Sequence, residues 1–267
     1  MIKKFTSTLE IDPKNGTVVK KSTNIKLIEN QFAWFSNIVK LNPAFSKMIP
    51  AFSNFSKSTR SAKYEMEYIP AKSLAKIFID DNLDLENWKI ILKNILKGLK
   101  YFQKFPAIRY DNLSSKKELY LTKTQETINE IRESTFFKNT LKYASINVND
   151  VSCSNFIFLE QKIISEIKKK FLLTPDKAIL AHGNLVLDNI LFESVEYLKM
   201  INPLGFYHKQ TIYGPQIYDF AKLSSSIRSK IDFIFHDKFI VKQNGSNFEL
   251  NFNIANLDKF LKIEKFL

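Results

Sequence analysis

Cysteine is nearly absent. Cys153 stands alone among 267 residues, which excludes an internal disulfide and a cysteine-rich zinc site. Histidine is scarce too. His182, His208 and His236 lie far apart in sequence, so the spacing of a histidine-built metal site is missing. No apolar run reaches the ~18 residues of a membrane span. The N-terminus, Met-Ile-Lys-Lys-Phe, turns polar at once and lacks the apolar core of a signal peptide. A cytoplasmic protein with no membrane partner is the expectation. Glycine and proline are few, at 6 and 8, and no repeat, low-complexity tract or Pro/Gly-rich linker is present. Each glycine and proline therefore reads as punctuation.

What is abundant is lysine, asparagine, isoleucine and phenylalanine. The net charge of +13 suits an anionic partner such as a nucleotide, a phosphosugar or nucleic acid. It equally suits a lysine-rich proteome, because the lysines are scattered and only Lys168-Lys169-Lys170 cluster tightly. No basic stripe or nucleic-acid motif accompanies the charge, so a basic nucleic-acid-binding module is the third-ranked reading.

Residues 5–11 and 17–22 read as strands around the turn Asp12-Pro13-Lys14-Asn15-Gly16. Thr23 or Asn24 reads as the N-cap of a helix carrying Ile28, Phe32, Phe35 and Val39. Residues 62–69 have strand character and end at Pro70. Asp84 then caps an amphipathic helix with Leu85, Trp88, Leu92, Ile95, Leu99 and Phe102 on its apolar stripe. Further helices are expected from near Ser114 and over Phe156–Phe171. Short strands follow at Ala178–Ala181, Ile190–Phe192 and Tyr197–Ile201, then a helix over about 216–227. A strand at Asn247–Asn251 precedes a last helix. A mainly β front over 1–70 followed by a mainly helical back over 71–267 predicts an α+β fold with two lobes. Two lobes leave a cleft, a common ligand site.

Three segments carry the chemistry. They are His182-Gly183-Asn184-Leu185-Val186-Leu187-Asp188-Asn189-Ile190-Leu191-Phe192, Ile201-Asn202-Pro203-Leu204-Gly205, and Tyr218-Asp219-Phe220-Ala221-Lys222-Leu223. In order and spacing they resemble the aminoglycoside phosphotransferase/choline kinase family, over about residues 17–235. The family pattern is His-Gly-Asp, Asn five residues later, Ile-Asp-Pro, then Tyr-Asp-Leu-Ala. The longer run from Ile212 to Ile227 is similar to a branch found with bacterial capsule and surface-polysaccharide genes. The resemblance implies a two-lobed protein kinase-like fold, with a small β-rich N-lobe and a larger helical C-lobe.

What it implies for the site follows position by position. Asn189 stands where the family's metal-binding Asn stands. Lys20 or Lys21, with Lys21 favoured, stands at the phosphate-binding lysine. Asn184 replaces the catalytic Asp, Asn202 replaces the metal-binding Asp, and Gln31 stands where a Glu holds the lysine. Glu67 and Ile69, in Glu67-Tyr68-Ile69-Pro70, match the hinge whose backbone meets adenine. His182 and Asp219 take structural roles under the loop, and Asp188 is the one carboxylate placed to substitute for the lost base. Tyr207 and His208 fall in a flexible surface loop with no assigned role. Family members usually continue with further C-terminal helices, whereas here one short helix ends the sequence, implying a reduced acceptor pocket or a truncated chain.

An amide cannot act as general base at neutral pH, a loss of roughly 10²–10⁴ in rate, and it is a poor ligand for magnesium. No Gly-rich phosphate loop is present, since the turn has only Gly16 and Pro13 removes a donor. The expectation is a pseudokinase-like homologue that binds ATP, another nucleotide or a phosphosugar, with Mg2+ disfavoured. Its partner would be a small molecule or a carbohydrate-biosynthesis enzyme. The second-ranked reading is an active small-molecule kinase using Asp188.

Overall fold

The computed structural model describes residues 7–107, 111–135, 137–173 and 177–267. In chain order the strands are β1 Ser7–Asp12, β2 Thr17–Ser22, β3 Phe52–Lys57, β4 Ala62–Glu67, β5 Lys72–Ser73, β6 Ser145–Val148, β7 Val151–Ser154, β8 Ala178–Leu180, β9 Ile190–Phe192, β10 Leu198–Met200, β11 Tyr213–Pro215, β12 Phe239–Asn244 and β13 Asn247–Phe252. The helices are α1 Ile25–Leu41, α2 Leu74–Ile79, α3 Leu85–Phe102, α4 Asn112–Lys116, α5 Lys123–Glu133, α6 Glu160–Ile167, α7 Tyr218–Arg228, α8 Ile231–Phe235 and α9 Leu257–Phe266. The fold class is α+β, a β-rich sheet region followed by a mainly helical part, as the sequence predicts.

The chain divides into two compact units. Among the described residues, the larger holds 7–107, 178–232 and 254–267, and every candidate site residue lies in it. Its sheet runs β1-β2-β4-β3, all antiparallel. The strands form where apolar and polar residues alternate. In β4, Ala62, Tyr64 and Met66 are buried and Lys63 and Glu67 exposed. Helix α1 starts because Asn24 accepts a hydrogen bond from the Leu27 backbone N–H at 3.1 Å. It buries Ile28, Gln31, Trp34, Phe35 and Ile38 on one stripe, and Phe35 stacks on Phe52 of the sheet.

Helix α3 is capped as expected, with Asp84 Oδ1 accepting from Asn87 N at 2.8 Å. Its stripe of Trp88, Ile91, Leu92, Ile95 and Phe102 is buried. Gly98 lies in the interior of this helix. A Cβ added there meets only Met48 Cε, at 3.3 Å, and the tip of a methionine yields easily. Gly98→Ala is therefore expected to raise stability by up to about 1 kcal/mol through helix propensity, read as a higher urea midpoint at unchanged slope.

The smaller unit holds 111–135, 137–173, 177 and 233–253 of the described residues. Helices α4, α5 and α6 are extended by wide π turns at Lys117–Thr122 and Lys168–Leu172. A four-stranded sheet runs β12-β13-β6-β7, with β13 parallel to β6. Of this sheet the sequence predicts only Asn247–Asn251. Among the described residues no helix is long and apolar enough to cross a membrane.

Candidate functional site

Strand β8 ends at Leu180 and leads into the loop that carries His182, Asn184 and Asn189. Strands β9 and β10 then form a hairpin with Met200 opposite Ile190. Its return delivers Asn202 next to Asn189, and Ile201 N donates to Asn189 O at 2.9 Å. Asn202 sits at φ +57°, left-handed backbone that asparagine tolerates better than most residues. Gly205 is forced. At its φ of +65° an added Cβ would lie 2.2 Å from the Asn30 carbonyl oxygen, so only glycine lets this segment reach α1.

Strand β2 presents its alternate residues inward. Val18, Lys20 and Ser22 are buried and Lys21 is exposed. The expectation favouring Lys21 is thereby corrected to Lys20, because the strand period of two puts Lys20 on the face of Val18. Lys20 is 6% exposed. Its ammonium donates to Gln31 Oε1 at 2.9 Å and to Asn202 Oδ1 at 2.5 Å. Tyr64 Oη also donates to Gln31 Oε1, at 3.3 Å. Burial alone pushes the Lys20 ammonium down from 10.5 to about 8. An adjacent carboxylate would hold it up. Glu29, two residues before Gln31, faces elsewhere and pairs with Lys57 at 2.7 Å.

The amides form one ordered chain. A lysine only donates, so the oxygen of Asn202 must face Lys20 and its Nδ2 must face away. That Nδ2 donates to Asn189 Oδ1 at 2.9 Å. Asn189 Nδ2 in turn donates to the Asn184 carbonyl at 2.8 Å. Asn184 Nδ2 points at the Asn202 carbonyl at 3.4 Å. Lys20, Gln31, Asn184, Asn189 and Asn202 are thus brought together in one hydrogen-bonded cluster. Magnesium demands hard oxygens and is usually held by carboxylates. Here the side-chain oxygens of Asn189 and Asn202 each already accept from a neighbour. Among the described residues no group of three or more His, Cys, Asp or Glu is arranged to hold a metal. The donor set does not fit magnesium.

The remaining residues brace this network. Asp219 is buried at the start of α7, and its two oxygens accept from His182 N at 2.7 Å and Gly183 N at 2.6 Å. Burial pushes its carboxyl up to about 6, against the pull of those two N–H groups. The folded carboxyl keeps its proton to higher pH than the unfolded chain does. Its contribution to stability therefore declines as pH rises from about 4 to about 6. Asp219→Ala leaves two buried N–H groups without their acceptor, an expected loss of about 2–4 kcal/mol at neutral pH. Urea melts of wild type and variant from pH 4 to 7 check both the loss and the disappearance of that slope.

His182 is fully buried, and desolvation holds its imidazole down at about 3, so it is neutral. Its Nδ1 accepts from Asn184 N at 3.4 Å, and Trp34 meets its ring edge-on. Asp188 is exposed and accepts from Ser73 Oγ at 2.8 Å, at the cap of α2. At the end of β4, Glu67 is exposed and accepts from Ala51 N at 3.1 Å, while Ile69 is buried and its carbonyl accepts from Ala71 N at 2.7 Å.

Three further residues, to which the sequence assigns no role, brace the loop. Trp34 Nε1 donates to the Ala181 carbonyl at 2.8 Å, tying α1 to the loop. Ser226 Oγ accepts from Leu187 N at 3.0 Å. The third is Tyr207. The expectation of a surface-loop residue is corrected here, because Tyr207 is 0% exposed. Its ring lies over two bare backbones. A Cβ on Gly183 would be 2.2 Å from its hydroxyl oxygen, and one on Gly214 2.7 Å from its ring. In sequence Tyr207 is one of several aromatics between these glycines, beside Phe206 and near Tyr213, so no local signal marks it out.

No family model matches the chain, and no curated protein matches it either. Among solved structures it is similar to the crystal structure of an aminoglycoside-3'-phosphotransferase of type VIII. The identity is 11%, the TM-score 0.43, and the alignment covers 94% of this chain and 85% of that one.

Proposed function

We propose that this chain is a kinase-like phosphotransferase homologue that has lost phosphoryl transfer and instead binds an anionic small molecule, a nucleotide or a phosphosugar, without a divalent metal. One observation carries the reading. A buried ammonium, Lys20, is met by two amide oxygens, in a setting where Asn189 and Asn202 satisfy each other. Phosphoryl transfer rests on charge neutralisation by metal ions and on a base for the attacking hydroxyl. Amides at 184 and 202 supply neither. What they leave is a cation that no carboxylate among the described residues neutralises, met by neutral amides that do not repel phosphate. Lys20 would hold the anion, and the backbone at Glu67 and Ile69 would meet a base. The Ile212–Ile227 run favours a setting in bacterial surface-carbohydrate metabolism, with a carbohydrate-biosynthesis enzyme as partner.

The test is calorimetric titration of the full chain with ATP and with a nucleotide sugar, in magnesium and in EDTA. Binding that is equal in both, with no phosphorylated product across a panel of sugars and amino alcohols, is expected. Lys20→Met is expected to weaken that binding at least tenfold. Wild-type affinity should fall as pH rises through about 8, where the ammonium loses its proton. Metal-dependent binding with turnover that Asp188→Ala abolishes would instead establish the active kinase.

A further inference from the structure

We infer that a second site lies behind the loop, an apolar cavity that takes an uncharged, ring-sized small molecule. The cavity has a volume of about 250 Å³. It is partly open to solvent rather than sealed, and an apolar cavity of about 150 Å³ already takes up benzene. This one has room for a bicyclic ring. Its walls are Met48, Ile95, Phe102, Leu185, Ile190 and Met200. Lys47 and Glu196 stand at its edge with opposite charges and are both exposed, so the entrance favours neither cations nor anions.

The sequence keeps this space open at a cost. Gly98 lies within α3 and lines the cavity, and a side chain there would project against Met48. A helix-interior glycine is the least favourable residue after proline. The hairpin turn is tied to the same helix, because Asn94 Nδ2 donates to the Val195 carbonyl at 3.0 Å. That bond fixes the turn of the β9–β10 hairpin against α3. Leu185 and Ile190 directly follow Asn184 and Asn189 in the chain, so an occupant would rest against the back of the amide loop. The site stands whether or not Lys20 binds an anion.

The chain has four methionines, at positions 1, 48, 66 and 200. Two of them, Met48 and Met200, line the cavity, and Met66 lies in β4 outside it. Full-length protein labelled with 13C at the methionine methyls is titrated with 2-naphthol, and with indole as a smaller probe. Saturable shifts of Met48 and Met200 are expected with Met66 unmoved, and 2-naphthol should bind more tightly than indole. Gly98→Leu fills the space and should weaken 2-naphthol at least tenfold. If that variant does not fold, Gly98→Ala gives the same reading as a two- to threefold loss. The inference is overturned if neither wild-type methyl moves up to the solubility of the probe. Equal movement of Met66, or unchanged affinity in the folded Gly98 variant, overturns it too.

Discussion

The double substitution Asn184→Asp and Asn202→Asp is expected to make nucleotide binding depend on magnesium, by at least tenfold. It is also expected to raise ATP turnover by roughly two orders of magnitude over the wild-type background. The geometry says why both changes are needed. Asn202→Asp deletes the Nδ2 donor that now occupies Asn189 Oδ1, and so frees a second oxygen beside the new carboxylate. Two oxygens, one of them charged, make a credible magnesium ligand pair. The same carboxylate lands on Lys20, whose Nζ already sits 2.5 Å from Oδ1. The Lys20 ammonium, held at about 8 by burial, should return toward its usual 10.5, since an opposite charge at contact favours the charged form.

A linked pH signature follows. In the wild type the unfolded chain holds this proton more tightly than the folded one. Stability therefore rises with pH between about 8 and 10.5, by up to about 3 kcal/mol from this group. In Asn202→Asp that rise should vanish. Asn184→Asp adds the base that a hydroxyl acceptor needs. Calorimetry with and without EDTA, a coupled turnover assay and urea melts at pH 7 and 10 read the three effects. If magnesium leaves the double variant's affinity unchanged, the amide cluster is not a degenerate phosphotransferase site, and the proposed kinase-like reading falls with it.

Much of the front of this chain is legible from residue pattern. The hairpin around Gly16, the Asn24 cap and the capped helix at Asp84 are local signals, and they appear where they are expected. The Lys20–Lys21 choice was legible as well. Val18 is apolar, Lys20 shares its face, and Ser22 continues it. Lys21 is the lysine that alternation sends to solvent. The sheet of the smaller unit is a different case. Strand β6 pairs with β13 from a hundred residues away, and no local propensity encodes such a partner. Of that sheet the sequence reads only the strand Asn247–Asn251, and its turns fall at Asn149-Asp150, both with positive φ, and at Gly245-Ser246.

The candidate site shows the same division. The identities of the three asparagines and Gln31 can be read directly. Their mutual satisfaction cannot, because it depends on which way each amide is turned. That in turn is dictated by one donor-only lysine arriving from β2. Asp188 shows the converse. As a carboxylate one residue from Asn189 it reads as a substitute base, and its side chain is engaged with Ser73 at the cap of α2.

Tyr207→Ala is expected to cost about 3–5 kcal/mol, in a segment that its sequence context reads as a surface loop, where about 0.5 kcal/mol would be ordinary. The ring is fully buried and lies on the backbone at Gly183 and Gly214. Edge-to-face contact with Tyr218, at 6.4 Å between centroids, closes its third side. Removing it leaves a void beside Gly183, whose N–H is held by Asp219 at 2.6 Å. The loss should therefore appear as faster hydrogen exchange at Gly183 as well as a lower urea midpoint. Tyr207→Phe keeps the ring and should cost far less. A double-mutant cycle isolates the contact. Gly183→Ala meets the Tyr207 hydroxyl at 2.2 Å in the wild type, and also the Leu204 Cβ at 2.7 Å at a φ of +77°. With Tyr207 cut to alanine, only the Leu204 contact and the backbone strain remain, so Gly183→Ala should be milder in that background. Strict additivity of the two substitutions would mean that the tyrosine does not lie on the glycine, and that Gly183 is a glycine for its backbone angle alone.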